Sequence, residues 1–484
     1  MNIKVISRNV GSALLVSALF MFLSILVSMA NGNDSALAAL SISFILTFVV
    51  GIFPFIFVTR TEKISLKDGY MIVVLSWLLS FIFGMLPYAL WGGPFTVVNA
   101  WFESVSGFTT TGATILSNIE DLPNSLLFWR SSTHFIGGLG VVVFLLLLIP
   151  NNSAIRFRLT SMEISSLSRN GYRVRQNKTV FIFAYVYIGI CVAAFISYAL
   201  AGMSLFDAIN HAMSVCATGG FSTRNESIGA FHSGTINVIT IIFMYLASVH
   251  FGLIFLAVIH RSLKPLNNPV LKYYTQMLLV ATLVVSLRLK FSGIASTWFD
   301  AFMDGSFHVV SYASTTGFAI ADNAYWPLFV NVILMFMGIQ CGMAGSTTGG
   351  LKADRVYVLF KAIQRQVKSA FRPSSVSEIR VGNVFLRDET VYPHILYSAM
   401  FGLFLILSLI VCLALGVDTG NALAGTASCL GNVGPALKEI GTFGNYGMES
   451  SWVKFVFTID MFLGRVEIYP VLAVLAMIFG DRRK

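Results

Sequence analysis

A glycine preceded by a hydroxyl, amide or small residue recurs four times in this chain. The triplets are Thr110-Thr111-Gly112, Thr218-Gly219-Gly220, Thr315-Thr316-Gly317 and Asn432-Val433-Gly434. None carries an acid–base pair or an activated nucleophile, so what they offer is backbone. Glycine lets a carbonyl turn toward an axis without a Cβ clash, and a ring of carbonyl oxygens can replace the hydration shell of K+. The chemistry open to these residues is therefore the desolvation and binding of a cation. Thirteen residues before each glycine stands Asn99, Asp207, Asp304 or Asn421, followed by Ala100, Ala208, Gly305 or Ala422. Six before it stands Ser106, Ser214, Ser311 or Ser428. Four ungapped segments that agree at these columns constitute an internal repeat.

Each triplet must be positioned by a short element. The Asn or Asp that opens the segment reads as a helix N-cap, its side chain taking a free backbone N–H. About ten small or apolar residues follow, a helix of roughly 15 Å at 1.5 Å per residue, half a membrane at most. Thr-Thr-Gly or its equivalent then breaks the helix. Irregular backbone at membrane depth survives only where protein buries it or where it lines a watery path. The negative end of the helix dipole faces that strand. Four such units around one axis would form a ring of carbonyls facing a cation.

The rest of the chain supplies the membrane. Of 484 residues, 56% are apolar and 11% charged, against about 25% charged in a soluble domain. Ten apolar crossings are predicted, at about 11–29, 36–57, 70–90, 126–149, 180–200, 236–259, 274–291, 328–341 with a break after it, 395–415 and 453–479. Most of the 32 Lys and Arg residues fall in segments on one side of this arrangement, including both termini. The positive-inside rule makes that side cytoplasmic and accounts for the basic excess without nucleic acid. All four half-helices then enter from the outer side. The fold class expected is an all-α polytopic membrane protein. Two leading spans (1–64) precede four pseudo-repeats of span, pore half-helix, filter and span around one pore (65–150, 178–260, 271–365, 392–484). Basic cytoplasmic loops lie at 151–177 and 366–391. Five scattered cysteines form neither a CxxC metal pair nor a disulfide framework.

With these residues in view, the chain resembles the Trk/Ktr/HKT family of potassium uptake proteins, most closely the TrkH type of membrane subunit. The resemblance is carried by TTTGAT (Thr109 to Thr114), ATGGFST (Ala217 to Thr223), STTGFA (Ser314 to Ala319), NVGP (Asn432 to Pro435) and the FFES-like Trp101-Phe102-Glu103-Ser104. It covers almost the whole chain, and the leading pair of spans favours the Trk type. It implies that glycine in all four filter columns goes with potassium preference. It also implies a homodimer in the cell inner membrane, with no cofactor in this chain and K+ as the transported ion. A cytosolic nucleotide-binding, TrkA-like regulatory subunit would be assembled with it.

Two further features interrupt spans. Cys341 to Gly350 reads CGMAGSTTGG, and Gly342, Gly345, Ser346, Thr347, Thr348, Gly349 and Gly350 are too many helix breakers for one ordinary helix end. Broken spans of this kind line cavities in transporters. The resemblance implies an intramembrane gating loop here, with Thr348 replacing a usual glycine. Arg465 lies within the last apolar run, where an arginine costs at least about 2.5 kcal/mol on insertion scales and should face water or a partner. Read as structure, its partner is Asp460 or Glu467. By resemblance, Phe462-Leu463-Gly464-Arg465 places it at the constriction, as a fixed charge in the gate.

Other polar residues read as supports. His211 and His308 share a column with Glu103 and Gly425, a mixture that suggests packing or hydrogen bonding behind the filter and not a metal site. Glu103 sits behind the first filter without coordinating an ion. His134 is structural, in a pattern where Phe135 replaces the family's usual Trp. Arg130 anchors the start of its span near the outer interface. No Walker loop, dinucleotide fingerprint or triad spacing is present. The reading is a gated potassium uptake pore and not an enzyme. The rival within the class is a sodium-coupled potassium symporter. The remote rival, a polytopic membrane enzyme or structural subunit, lacks the paired acids or His cluster it would need inside the spans.

Overall fold

The computed structural model describes residues 1–59, 65–140, 179–372, 379–381, 384–386 and 388–480. The loop expected at 151–177, the end of the fourth span, part of the 366–391 loop and the basic tail from Asp481 therefore lie wholly or partly outside the described residues.

The chain is built from helices. The opening pair is α1 (Ile3–Ala30) and α2 (Leu37–Phe57). Their junction is fixed by Arg8, whose guanidinium donates to the carbonyl of Val58 at 2.6 Å. Next come α3 (Leu66–Gly84), its short continuation α4 (Leu86–Trp91), the half-helix α5 (Val97–Phe108) and α6 (Asn124–Leu139). α3 starts on a capping box in which Ser65 and Asp68 exchange side-chain and backbone bonds. The second unit comprises α7 (Thr179–Leu200), half-helix α8 (Leu205–Cys216), α9 (Gly234–Ser248) and α10 (Phe251–Ile259). The third has α11 (Pro269–Phe291), half-helix α12 (Trp298–Ala313), α13 (Leu328–Gln340) and α14 (Ala353–Phe371). A small antiparallel hairpin, β1 (Ile379–Val381) with β2 (Val384–Leu386), then packs Ile379 and Leu386 against Val358 and Ala362 of α14. The last unit is α15 (Asp388–Ala414), half-helix α16 (Thr419–Gly431), α17 (Ser451–Val466) and α18 (Ile468–Gly480).

Among the described residues, six helices are long and apolar enough to cross a membrane, or eight if each of two bent pairs is one span. The bends correct two expectations. The apolar run 236–259 is not one straight helix: it breaks at Val249 and His250, and α9 and α10 meet at 102°. The run 453–479 breaks at Glu467, where α17 and α18 meet at 109°. Arg465 consequently lies at the end of α17 and not midway along a continuous span.

The half-helices have 12, 12, 16 and 13 residues, a little longer than expected. Their caps are not the shared Asn/Asp column. Thr96, Ser204 and Asp418, sixteen residues before their glycines, accept the capping bonds of α5, α8 and α16, and Thr297 caps the longer α12. Asn99, Asp207 and Asn421 stand in the first turn, and Asp304 is mid-helix.

Packing arranges these four helices in a cycle. α5 lies between α6 and α17, α8 between α6 and α9, α12 between α9 and α13, and α16 between α13 and α17. Each half-helix thus touches the helix after its own filter segment and the corresponding helix of the preceding unit.

Candidate functional site: a four-part filter and the loop beneath it

Every half-helix ends in the same backbone device. The residue two before the glycine is left-handed, with φ of 54° at Thr110, 53° at Thr218, 54° at Thr315 and 55° at Asn432. The next N–H reaches back to the serine column: Thr111 N to Ser106 O at 3.0 Å, and Gly219, Thr316 and Val433 N to Ser214, Ser311 and Ser428 O at 2.9 Å each. This is the six-to-one bond of a Schellman motif. Positive φ is natural for Asn and costly for β-branched Thr, and such strain clusters at functional sites.

The glycines then close a ring. Gly112, Gly220, Gly317 and Gly434 also have positive φ, between 75° and 94°. A Cβ at Gly112 would overlap the carbonyl oxygen of Gly219, one at Gly220 that of Thr316, one at Gly317 that of Val433, and one at Gly434 that of Thr111. Each unit's glycine therefore lies against the last carbonyl before the next unit's glycine, and the fourth returns to the first. All four glycines line one cavity.

The residues behind the ring hold its outgoing strands. Glu103 accepts from Thr114 Oγ1 at 3.0 Å, Ile115 N at 3.1 Å and Arg130 Nε at 2.9 Å. Arg130 is 1% exposed, a buried partner of Glu103. Arg130 also donates to Ser222 O at 3.3 Å and lies 4.0 Å over the Phe221 ring. In the same column His211 bonds Ser222 Oγ at 2.8 Å and His308 bonds Ala321 O at 3.2 Å. Gly425 has no side chain to do this, and the fourth strand is held instead by Tyr446, whose hydroxyl donates to Gly434 O at 2.8 Å. His134 meets Ser214 Oγ at 3.0 Å and stacks on Phe221. Among the described residues no group of His, Cys, Asp and Glu is arranged to hold a metal ion.

The loop between α13 and α14 lies against the ends of the half-helices, Gly349 N donating to Thr315 Oγ1 at 3.2 Å. Cys341, Gly345, Gly350 and Lys352 all have positive φ, so this stretch is not helical. The α9/α10 break is its receptor. Met343 N donates to Ser248 O at 2.9 Å, Thr347 Oγ1 to Ala247 O at 3.1 Å, and Phe251 N to Gly345 O at 3.0 Å. Groups that a continuous helix would have paired internally are used to bind the loop. Asp354 accepts from Ala344 N at 2.6 Å, tying the loop to the start of α14. Lys352 Nζ donates to the carbonyl of Thr348.

Arg465 joins the loop to the first unit. Its guanidinium donates to the carbonyl of Thr347, and to Gly137 O and Gly138 O at 2.7 Å each. The acidic groups considered for it are engaged elsewhere. Glu467 pairs with Arg355 at 2.7 Å, and Asp460 accepts from Ser408. Gly345, Ser346, Thr348, Lys352 and Arg465 line a second cavity, to which none of the four ring glycines contributes.

A family model for TrkH, described as a cation transport protein, matches residues 37–299 and 296–481. The chain is 33% identical to the Trk system potassium uptake protein TrkH of Salmonella typhimurium over 99% of both chains. It is 32% identical to the protein of the same description from Escherichia coli K12, again over 99% of both. The crystal structure of the potassium transporter TrkH from Vibrio parahaemolyticus matches with a TM-score of 0.88 and 31% identity, over 98% of this chain and 99% of that one. With a largely helical membrane transporter fold and near-complete coverage by these relatives, the chain belongs to the TrkH family of cation transport proteins.

Proposed function

We propose that this chain is the conducting subunit of a potassium uptake system, passing K+ through a pore lined by the carbonyls around Gly112, Gly220, Gly317 and Gly434. The observation that carries the reading is the closed ring, in which each of these glycines lies against a carbonyl of the next unit. The relatives' description as Trk system potassium uptake proteins supports the choice of ion. Thr110, Thr111, Thr218, Gly219, Thr315, Thr316, Asn432 and Val433 complete the filter. The topology that goes with this reading has two leading spans and four pseudo-repeats of two crossings each, ten in all, with both termini cytoplasmic and the chain in the cell inner membrane. The 342–350 loop and Arg465 form the gate on the cytoplasmic side. A homodimer served by a TrkA-like cytosolic subunit is the working assembly.

The test is uptake in cells lacking their own potassium systems, with external cations replaced one at a time. Growth on low potassium that depends on this chain and is lost in Gly434→Ser supports the reading. Uptake that requires sodium would instead make the chain a symporter, and no potassium-linked growth would remove the assignment.

A further inference from the structure

The loop beneath the filter is bonded to the filter itself. Gly349 N donates to Thr315 Oγ1 at 3.2 Å. The one hydroxyl hydrogen of Thr347 is shared between Ala247 O and the carbonyl of Cys216, the last residue of α8, each oxygen 3.1 Å from Oγ1. A Cβ at Gly349 would overlap the side chain of Asn432. Thr315 and Asn432 are the left-handed residues that end the third and fourth half-helices, and both are fully buried. Asn432 in turn donates to Thr111 Oγ1 at 3.0 Å and to Met461 O at 2.8 Å. One side chain thus spans the fourth filter segment, the first filter segment and α17, and touches the loop.

We propose that seating of the 342–350 loop and cation occupancy of the inner filter are coupled through Thr315 and Asn432. The proposal rests on reading these columns as a filter and this loop as a gate, and adds that the two are not independent. The left-handed residues make one layer of the filter, yet their side-chain oxygens are not equivalent. Thr218 Oγ1 donates to Ala217 O, Thr110 Oγ1 has no partner among the described residues, and Thr315 Oγ1 is taken by Gly349. When the loop leaves, the buried Thr315 oxygen loses that donor, and a partly dehydrated cation is the replacement the pore can supply. Cation and Gly349 therefore compete for one oxygen. A coupling between two binding events is reciprocal: potassium in the inner filter loosens the loop, and a loosened loop alters which cations the inner filter holds.

Three variants and one measurement on the unmodified protein test this, all on full-length chain reconstituted without regulator. Gly349→Ala and Thr347→Val, each of which unseats the loop, should raise potassium flux per molecule and shift the potassium-to-sodium permeability ratio at least twofold. Thr347→Ser, which keeps the hydroxyl, should restore both values. In the unmodified chain, amide exchange across 345–349 should be at least threefold faster in potassium than in choline. Raised flux with an unchanged ratio, or exchange that is the same in both cations, overturns the coupling and leaves the gate in place. Unchanged flux in both loop variants overturns the gate reading and the coupling with it. Should the variants fail to yield monodisperse protein, the exchange comparison decides alone.

Discussion

Arg130 Nε lies 2.9 Å from Glu103 Oε1, and neither side chain reaches solvent. The pair links α6 to the first half-helix, and its remaining bonds fall on the strands that leave Gly112 and Gly220. Removing one member of a buried pair leaves a charge without its counterion, which costs about 3–5 kcal/mol, whereas removing both can be near neutral. Glu103→Gln and Arg130→Met are each expected to lower the thermal midpoint and the yield of monodisperse protein. The double variant should recover part of the loss, as a double-mutant cycle detects. Losses that simply add would show that the two residues act independently.

The ring predicts the outcome of changes at its glycines. A side chain at Gly112, Gly220, Gly317 or Gly434 meets a neighbouring unit's carbonyl and a positive φ together. The left-handed conformation alone costs an L-residue about 1–2 kcal/mol, and the carbonyl must also move. Serine at any of the four should reduce potassium over sodium selectivity by roughly tenfold for each 1.4 kcal/mol of lost discrimination. Reversal potentials in mixed potassium and sodium measure this, and selectivity untouched at all four sites would remove the filter assignment.

How far this was legible depends on how local each cause is. The close carbonyl is a demand on single residues, so the Gly column stands out in the chain, whereas the left-handed turn before it favours Asn432 and disfavours the three Thr residues that share its column. The caps were within reach as well: Thr96, Ser204 and Asp418 share a column, but the third unit has Ala301 there because α12 starts a turn early. The α9/α10 break leaves no glycine or proline between its two helices, whereas the α17/α18 break is flanked by Gly464 and by Pro470, which has no N–H to give the carbonyl of Val466 across the bend. Apolar composition runs through Val249, and the break exists because a loop about a hundred residues later binds its open carbonyls. The pairing of Arg130 was hidden for a related reason. An arginine opening an apolar run usually anchors at an interface, and its partner Glu103 lies on a different helix.

The hinge at Glu467 can be examined separately from the gate. Its φ of 67° is positive in a non-glycine residue, and its carboxylate meets Arg355 Nη2 at 2.7 Å. The Arg355 guanidinium lies 3.8 Å over the Tyr397 ring, so one buried cation ties α14, α15 and the α17/α18 hinge together. Glu467→Gly loses the ion pair but relieves the backbone, and Glu467→Ala loses the pair and keeps the strain. Thermal midpoints should therefore fall in the order wild type, Gly, Ala, with about 1 kcal/mol separating the last two. Equal midpoints for the two variants would show that the hinge stores no backbone cost.

Arg465 can act on the pore in two ways, and lysine separates them. As a point charge near the path it would repel a passing K+ by roughly 3 kcal/mol at about 6 Å and an effective dielectric of 20. As a latch it holds the carbonyls of Thr347, Gly137 and Gly138 at once, a task for a planar guanidinium with five donors. Hydrogen bonds to charged groups contribute about 1.5–3 kcal/mol each, so a latch of three is the stronger restraint on the loop. Both accounts expect Arg465→Ala to raise flux without the regulator, by one to two orders of magnitude at 1.4 kcal/mol per tenfold. Arg465→Lys keeps the charge and loses the fork, because a single ammonium at the end of a flexible stem does not reproduce three fixed bonds to separate chain segments. Under the latch, lysine behaves much like alanine, whereas under a charge barrier it stays near wild type. Potassium flux per reconstituted molecule for the three proteins decides between them, provided the yield of monodisperse protein is followed in parallel. Wild-type flux in the lysine variant would make the carbonyl bonds incidental and the charge itself the barrier.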